Sequence, residues 1–281
     1  MSKLLRANFT RLWKNKLFWG CMIFMFLDAF QTVLMQYLSF KQYGGEMENY
    51  FSERFAFGQT VAVSIISAIF IGLFIGTEYS NGTMRNKLVI GHSRGAIYFA
   101  NLAVCIAAAL LIHIVYVATT LVVGLIIFGN FFTQVSAFLG TLAVSLIIVT
   151  AFAAMFLPIS TLITSKSAGV TTVIMTSLIL MILAMMINGG LSEPDIYEAY
   201  TIIDANGEEY SEPEMKNPYY VSGLQRKIYE ALYDIVPTCQ AARIQLDDMP
   251  ENPAVVPLWS SAVIVVTTAA GAVLFRRKDL K

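Results

Sequence analysis

The sequence predicts an all-α integral membrane protein with six transmembrane helices. Hydrophobic residues make up 57% of its 281 residues, charged residues only 14%, and the mean hydropathy is +0.64. This leaves too little polar surface for a soluble globule of the same size. A helix needs roughly 20 mostly apolar residues to cross a bilayer. Six segments approach that length: residues 17–37, 60–76, 102–128, 137–163, 170–187 and 256–275.

These spans divide one transmembrane domain into three parts. Residues 1–187 hold an N-terminal amphipathic helix and spans one to five. Residues 188–255 form an extracytoplasmic cap between spans five and six. Residues 256–281 hold span six and a basic tail.

Lysine and arginine set the orientation, because basic loops are retained on the cytoplasmic side. An even number of spans places both termini on one side, and both termini are basic. With the short loops after spans two and four, that side holds 13 of the 19 Lys and Arg residues. We therefore expect a multi-pass protein of the plasma membrane with both termini in the cytoplasm.

The first residues predict a helix that lies along the inner membrane surface. In residues 2–16 the apolar side chains follow one helical face, while the basic ones fall mostly elsewhere: Leu4, Leu5, Phe9, Leu12 and Trp13. Such a helix suits the interface of an anionic membrane. The alternative is a basic start that only fixes the topology.

A carboxylate stands near the middle of the first span. Asp28 shares a helical face with Gln31 and Thr32, three and four residues further on. A charge at this depth is costly and should face protein or water rather than lipid. Two roles stay open for Asp28 and Gln31: lining a translocation path, or a structural hydrogen bond between helices.

A short polar stretch, residues 77–102, separates spans two and three. Its four charged residues are Glu78, Arg85, Lys87 and Arg94. Gly82 and Gly91 bracket a segment in which Met84 and Leu88, four residues apart, share a face. The spacing predicts about two turns of amphipathic helix at the membrane surface. A solvated charged loop is the alternative.

The pattern E-Y-S-N-G-T-M-R-N-K-L, followed by G-H-S-R-x-x-x-Y, resembles the same loop in permeases of the type-2 exporter family of ATP-binding cassette (ABC) transporters. The resemblance implies that the segment is a coupling helix docked on a separate ATPase subunit. The residues it assigns to coupling are Glu78, Met84, Arg85, Lys87, Leu88 and Arg94. It also implies a homodimer, or a heterodimer with a similar permease.

Two residues inside the spans have both a structural and a functional interpretation. His113 lies in an apolar setting without an acidic neighbour one turn away, which favours a packed neutral histidine over a ligand or relay. Pro158 removes a backbone donor late in the fourth span and predicts a kink. That kink is either a hinge or a tolerated irregularity.

The segment between spans five and six is strongly acidic, with 13 acidic residues against four basic ones. Residues 204–207, D-A-N-G, predict a hairpin turn between strands at 201–203 and 208–210. A helix is predicted over 222–236, stopped by Pro237. The acidity either attracts cationic substrates or is an ordinary solvated surface.

Several chemistries are missing from the chain. No G-x-x-x-x-G-K-[ST] phosphate loop is present, so ATP must be bound by a partner and the chain itself needs no cofactor. H-E-x-x-H is absent, and there are only two histidines, His92 and His113. No metal-ligand spacing or nucleic-acid module occurs. We expect a transport subunit and not an enzyme. The alternatives are a membrane assembly or sensory module, and a secondary transporter coupled to an ion through Asp28.

Overall fold

The computed structural model describes residues 2–46, 51–129, 135–203, 209–246, 248 and 254–278. Six helices within these ranges are long and apolar enough to cross a membrane, which confirms the predicted all-α membrane fold. They are α2 (Lys16–Tyr43), α3 (Thr60–Ser80), α5 (Arg94–Phe128), α6 (Val135–Leu162), α7 (Lys166–Ser192) and α10 (Val255–Arg277).

Side-chain caps fix where several spans begin. The Ser93 hydroxyl accepts a hydrogen bond from the backbone N–H of Ala96 at 3.2 Å, as expected for an N-cap. Because of this cap, α5 starts at Arg94 and not at the first residue of the apolar run. Asn15 caps α2 in the same way by accepting from the N–H of Leu17 at 2.8 Å. Polar residues therefore add helical turns that hydropathy alone does not predict.

The spans differ in how far they are buried inside the chain. In α3, 61% of the apolar window is buried, and in α6, 50%, whereas α7 and α10 each bury 22%. α3 packs along α6 and α7, α10 along α6, and α2 along α5. The central helices are thus enclosed by protein, and the outer ones leave broad apolar faces for lipid or another subunit.

Pro158 and His113 both take part in packing between helices. Pro158 lies within the continuous helix α6, where its ring approaches α10. A Cβ built on Gly271 would lie only 2.7 Å from the Pro158 ring. The predicted kink itself stays a prediction. His113 is buried, and its Nε2 lies 3.0 Å from the Ser145 hydroxyl of α6. That contact supports the packed-histidine interpretation.

The N-terminal helix, α1 (Ser2–Trp13), packs against α5. Leu4 and Leu12 are buried as the apolar face predicts, but Asn8 lies between them on the same face. Trp13, expected on that face, is 49% exposed. The inward face of α1 therefore carries a polar group at its centre.

The segment after α7 contains two short antiparallel pairs. The strand β1 (Ile196–Tyr197) pairs with β4 (Met215–Lys216), and β2 (Tyr200–Ile203) pairs with β3 (Glu209–Glu212). The strands predicted on either side of the turn are present, while the turn at 204–207 lies outside the described residues. Helix α8 (Gly223–Ile235) follows, close to the predicted bounds.

The extracytoplasmic cap predicted for residues 188–255 stays a prediction, but one of its helices packs closely against the spans. Helix α9 (Pro237–Leu246) packs against α3, α6 and α7. Its polar side chains find partners there: the Thr238 hydroxyl donates to the Leu180 carbonyl of α7 at 3.0 Å, and Gln240 accepts from Ser260 of α10. These bonds offset the cost of burying a polar helix among apolar spans.

Candidate functional site

A buried carboxylate organises the end of the bundle where α1, α3, α4 and α5 meet. Helix α4 is the seven-residue helix Thr83–Val89. Glu78, near the end of α3, has a fully buried side chain. One of its oxygens, Oε1, accepts from both Arg11 of α1 and Lys87 of α4. The other, Oε2, accepts from the Asn101 amide of α5 at 2.9 Å. A single carboxylate therefore joins four helices.

Two asparagines complete this group, which we call the Glu78 network: Asn8, Arg11, Glu78, Lys87 and Asn101. The Lys87 ammonium donates to the Asn8 Oδ1 at 3.0 Å, and the Asn8 amide donates to the Asn101 Oδ1 at 2.6 Å. Every carboxylate and amide oxygen of the network accepts at least one hydrogen bond. The network is thus nearly fully satisfied, which is the condition for tolerating charge in a buried place.

The two cations of the network are partly desolvated. Burial lowers the pKa of Arg11 and that of Lys87, while the Glu78 carboxylate acts in the opposite direction and favours their charged forms. The Arg11 guanidinium also lies 3.5 Å from the centre of the Phe74 ring. Such a cation is stabilised by the face of the ring as well as by the carboxylate. Removal of the carboxylate would leave two positive charges facing each other.

Glycine conformations bound α4 on both sides. Gly82 precedes it with φ 67°, and Gly91 follows with φ 97°, both in the left-handed region that favours glycine. The Thr83 hydroxyl donates to the Glu78 carbonyl at 3.0 Å, and the His92 N–H donates to the Lys87 carbonyl at 3.1 Å. The chain therefore makes two sharp reversals and holds α4 across the end of α3.

The structure shows which side of α4 is free. The resemblance assigns Met84, Lys87 and Leu88 to coupling, and that role stays a prediction. Met84 is only 2% exposed, and Leu88 packs against the core. Residues 84, 87 and 88 share one helical face, and the bond from Lys87 to Glu78 turns that whole face inward.

The exposed apolar side chains stand at the end of α4. Val89 is 78% exposed and Ile90 is 76% exposed. Arg85 is also exposed and lies on the outer side of the same helix. The end of α4 therefore exposes two apolar side chains, Val89 and Ile90, beside the exposed Arg85, while the opposite face of the helix is bound to the core. We call Val89 and Ile90 the apolar knob.

Arg94 lies at the same end of the bundle and binds the backbone at the end of α10. Its Nη1 donates to the carbonyl oxygen of Arg276 at 2.9 Å and to that of Lys278. The Lys278 ammonium in turn donates to the Thr161 carbonyl at 2.8 Å and to the Tyr79 hydroxyl at 3.0 Å. Burial lowers the pKa of Lys278 to about 8. The end of α10 is thus tied to α3, α5 and α6.

The two residues predicted for a translocation path are not brought together with this site. Asp28 is half-buried in α2, and Gln31 is exposed on the surface of the bundle. Their neighbour Thr32 faces inward instead and lines a cavity together with Tyr116. The role of Asp28 and Gln31 in a path remains a prediction, and Thr32 is the residue of this group that reaches an internal space.

Sequence reasoning missed three members of the Glu78 network: Asn8, Arg11 and Asn101. A signal was present for the two asparagines, because each interrupts an apolar helical face in the printed sequence. An amide at such a place needs a partner. Which partner it finds depends on tertiary contacts between residues up to 93 positions apart.

Comparison with known families gives one match. A family model described as "ABC-2 family transporter protein" matches residues 4–183, a region that contains the whole Glu78 network, the first four spans and most of the fifth. Among curated proteins, no match to the chain was found.

Proposed function

The chain belongs to the ABC-2 family of transporter proteins and is a multi-pass membrane permease, and from this premise we propose that α4 docks onto a separate ATP-binding cassette ATPase. The chain would form the membrane-spanning path, and the ATPase would bind and hydrolyse ATP. We propose export as the direction of transport, in the plasma membrane, with both termini in the cytoplasm.

The observation that carries this proposal is the exposed pair Val89 and Ile90 on a helix end that is anchored from within. A contact that transmits force needs an apolar knob as well as charge, because exposed ion pairs contribute only about 0–1 kcal/mol. Two large aliphatic side chains removed from water contribute more, about 1.5–3 kcal/mol each when fully buried. Arg85 would orient the contact electrostatically.

The Glu78 network gives a route from this knob into the membrane. Lys87 stands one turn before Ile90 and bonds to Glu78 at the end of α3. Arg11 and Asn101 extend the connection to α1 and α5. A push on α4 would therefore move α1, α3 and α5 together as one body, since close-packed helices joined by buried bonds resist independent displacement.

Charge distribution supports the proposed orientation. The end of the bundle that carries α4 also holds Arg11, Arg94 and Lys278, whereas the opposite end holds the acidic segment between α7 and α10. Basic segments next to membrane spans favour the cytoplasm. An ATPase in the cytoplasm would then meet α4 directly.

We further propose that two permeases pair in the membrane, either two copies of this chain or this chain and a similar one. Within one chain, α2 and α7 bury only 28% and 22% of their apolar windows. Large exposed residues follow their outer faces, among them Phe24 and Met185. Such faces are covered by lipid or by a second subunit.

A site-specific photo-crosslink tests the docking surface. A photoreactive residue at position 90 should crosslink to a co-expressed ATP-binding cassette ATPase in membranes. The same residue at position 228 on α8, which is also exposed at an apolar site but at the opposite end, is the matched control and should not crosslink. Crosslinking at 228 but not at 90 would reject α4 as the docking helix.

A further inference from the structure

Two neighbouring cavities lie in the half of the bundle farthest from the Glu78 network. The first, of about 520 Å³, is lined largely by hydroxyls and amides, and we call it the polar cavity. The second, of about 350 Å³, lies between α3, α7 and α9, and we call it the apolar cavity. The aliphatic residues that line it from α3 and α7 are Val61, Ala62, Ile65, Met181, Ala184 and Met185.

Two glutamines belong to both cavities. Gln59, just before α3, and Gln245, in α9, line the polar cavity and the apolar cavity alike. The two spaces therefore adjoin, and the polarity of their walls changes where these two amides stand. A ligand that occupies both would need a polar part on one side of the glutamines and an apolar part on the other.

The walls of these cavities are fixed by hydrogen bonds. The Tyr116 hydroxyl donates to the Phe55 carbonyl at 3.2 Å and lies 3.5 Å from the Thr32 hydroxyl. Helix α9, which contributes Gln245, is held to α7 through Thr238 and to α10 through Gln240. A largely preformed site loses little entropy on ordering when a ligand binds.

The apolar cavity borders the outer surface of the bundle. Met185 lines it and is 67% exposed, and Leu246 lines it and is 55% exposed. The apolar cavity is therefore reachable from the outer surface of the bundle beside these two side chains. The polar cavity is also open to the surface, since Arg54 and Gln245 in its lining are exposed.

We propose that these cavities form one binding site for an amphiphile with an uncharged, hydrogen-bonding head. The head occupies the polar cavity, and one hydrocarbon chain occupies the apolar cavity. The combined space falls within the range of about 300–1,000 Å³ that small-molecule sites occupy. A few placed polar groups orient the ligand, and the apolar wall supplies most of the buried area.

The chemistry of the polar cavity determines the kind of head. Amides of Gln59 and Gln245 and hydroxyls of Thr32, Ser52 and Tyr116 line it, and they can replace the hydrogen bonds that water makes to hydroxyl groups. Arg54, its charged lining residue, is exposed and makes an interaction of its own. An ammonium head would lose its hydration without gaining an anionic partner from this lining.

Binding at this site is independent of the proposed coupling through α4. It requires no ATPase and no transport, so it is measured on the purified chain alone. Failure of binding would leave the docking of α4 untouched, and failure of docking would leave this site untouched.

The test uses a monoacylglycerol that carries a photoreactive diazirine near the end of its acyl chain. The purified protein is reconstituted in phosphatidylcholine vesicles with this probe and irradiated. The labelled residues are then mapped by mass spectrometry. We expect labelling within residues 61–65 and 181–185, reduced by an excess of unlabelled monoacylglycerol. Labelling spread along the exposed faces of α2 and α10, without competition, would overturn the proposal.

A second probe distinguishes the contribution of the polar head to binding from that of the acyl chain. It has the same photoreactive chain but a methyl group in place of the glycerol head. The hydrogen bonds in the polar cavity should make the glycerol probe label residues 181–185 about threefold to tenfold more strongly. Equal labelling by the two probes would show that only membrane hydrocarbon occupies the space, and it would overturn the proposal.

Substitutions locate the site. The Ala62→Trp change fills the apolar cavity and should reduce labelling about tenfold. Met186→Trp, on a neighbouring residue that is 59% exposed and does not line the cavity, is the matched control and should label normally. The double variant Gln59→Leu, Gln245→Leu removes both amides and changes the volume of the cavities little. It should reduce labelling about threefold to tenfold. Unchanged labelling in this last variant would contradict the proposal even if Ala62→Trp does not fold.

Discussion

Glu78 shows how one side chain makes several segments depend on each other. Two positive side chains, Arg11 and Lys87, share one of its oxygens, and the Asn101 amide holds the other. A buried ion group of this kind adds little net stability compared with an apolar one. We expect it to supply specificity instead, because its hydrogen bonds to Glu78 form together only when α1, α4 and α5 are all in place.

The Glu78→Gln substitution should therefore be costly. It removes the negative charge but leaves Arg11 and Lys87 partly buried and facing each other. We expect a loss of about 3–5 kcal/mol in the free energy of unfolding, the range seen when one partner of a buried pair is removed. Thermal unfolding of the purified chain in detergent, followed by tryptophan fluorescence, measures the change.

The matched control for that experiment is Glu230→Gln. Glu230 pairs with Arg226 four residues away on α8, and its side chain is 54% exposed. The same chemical change there should cost at most about 0.5 kcal/mol. Equal losses of unfolding free energy in the two variants would show that the Glu78 network contributes no more to stability than an exposed ion pair.

The stability of the folded chain should depend on pH through Lys278, which follows α10. Its pKa is about 8 in the folded protein, below the ordinary 10.5, because burial disfavours the charged amine. The folded state therefore carries a cost below pH 8, and this cost disappears as the pH rises from about 8 towards 10.5. Relative to Lys278→Met, the wild-type chain should gain thermal stability between pH 8 and 10. A loss of wild-type stability relative to Lys278→Met over that range would contradict the assignment.

At the residue scale, the sequence does not predict which side chains of residues 77–102 face outward. The resemblance assigns Glu78, Lys87 and Arg94 to coupling, yet each has partners within the protein. Hydropathy gives no sign of this, because the ion pair between Arg11 and Glu78 depends on how α1 packs against α5 beside the end of α3. The burial of Met84 depends on tertiary contacts in the same way.

At the scale of elements, α4 depends on the glycine before it. Gly82 has a left-handed backbone, φ 67°, and no atom lies within 4 Å of the place where a Cβ would stand. Any cost of Gly82→Ala therefore comes from the backbone alone, about 1–2 kcal/mol. We expect a lower melting temperature and weaker association with the ATPase.

Gly140→Ala is the control for this prediction. Gly140 lies in α6, where a Cβ also meets no atom within 4 Å, but its backbone is helical. Alanine there should stabilise the chain by up to about 1 kcal/mol, since it restricts the unfolded state. A stabilising effect at both positions would show that α4 does not require the left-handed turn.

Helix α9 shows a limit of prediction at this scale. Its composition, with Thr238, Gln240 and Arg243, is typical of a segment outside the membrane. All three side chains are buried in the structure. Asp234 of α8 is a nearby partner, but the partners on α7 and α10, Leu180 and Ser260, are 58 and 20 residues away and cannot be inferred from local spacing. By contrast, the six long apolar helices follow from composition and length alone.

At the scale of the molecule, the two ends of the bundle are chemically different. One end presents α1, α4 and the basic residues that follow α10, and the other presents the acidic segment with its paired strands and α8. This asymmetry underlies the proposed orientation. The proposed ATPase contact and the proposed amphiphile site lie toward opposite ends of the spans.

Cysteine labelling tests the orientation. The native Cys21, Cys105 and Cys239 are buried, so a membrane-impermeant maleimide should leave them unmodified. In intact cells, Leu224→Cys on α8 should react and Ile90→Cys should not. After permeabilisation, Ile90→Cys should react as well. Labelling of Ile90→Cys alone in intact cells would invert the topology and exclude contact with a cytoplasmic ATPase.

The central claim is that the exposed end of α4 couples this permease to an ATPase. The most direct measurement is ATP hydrolysis by a co-purified ATPase in proteoliposomes, with Val89→Asp and Ile90→Asp combined in one variant. We predict an inserted, folded chain that no longer binds or stimulates the ATPase. The control, Leu224→Asp with Ile228→Asp at the opposite end, should keep wild-type stimulation. Wild-type stimulation by the Val89→Asp, Ile90→Asp variant would contradict the account.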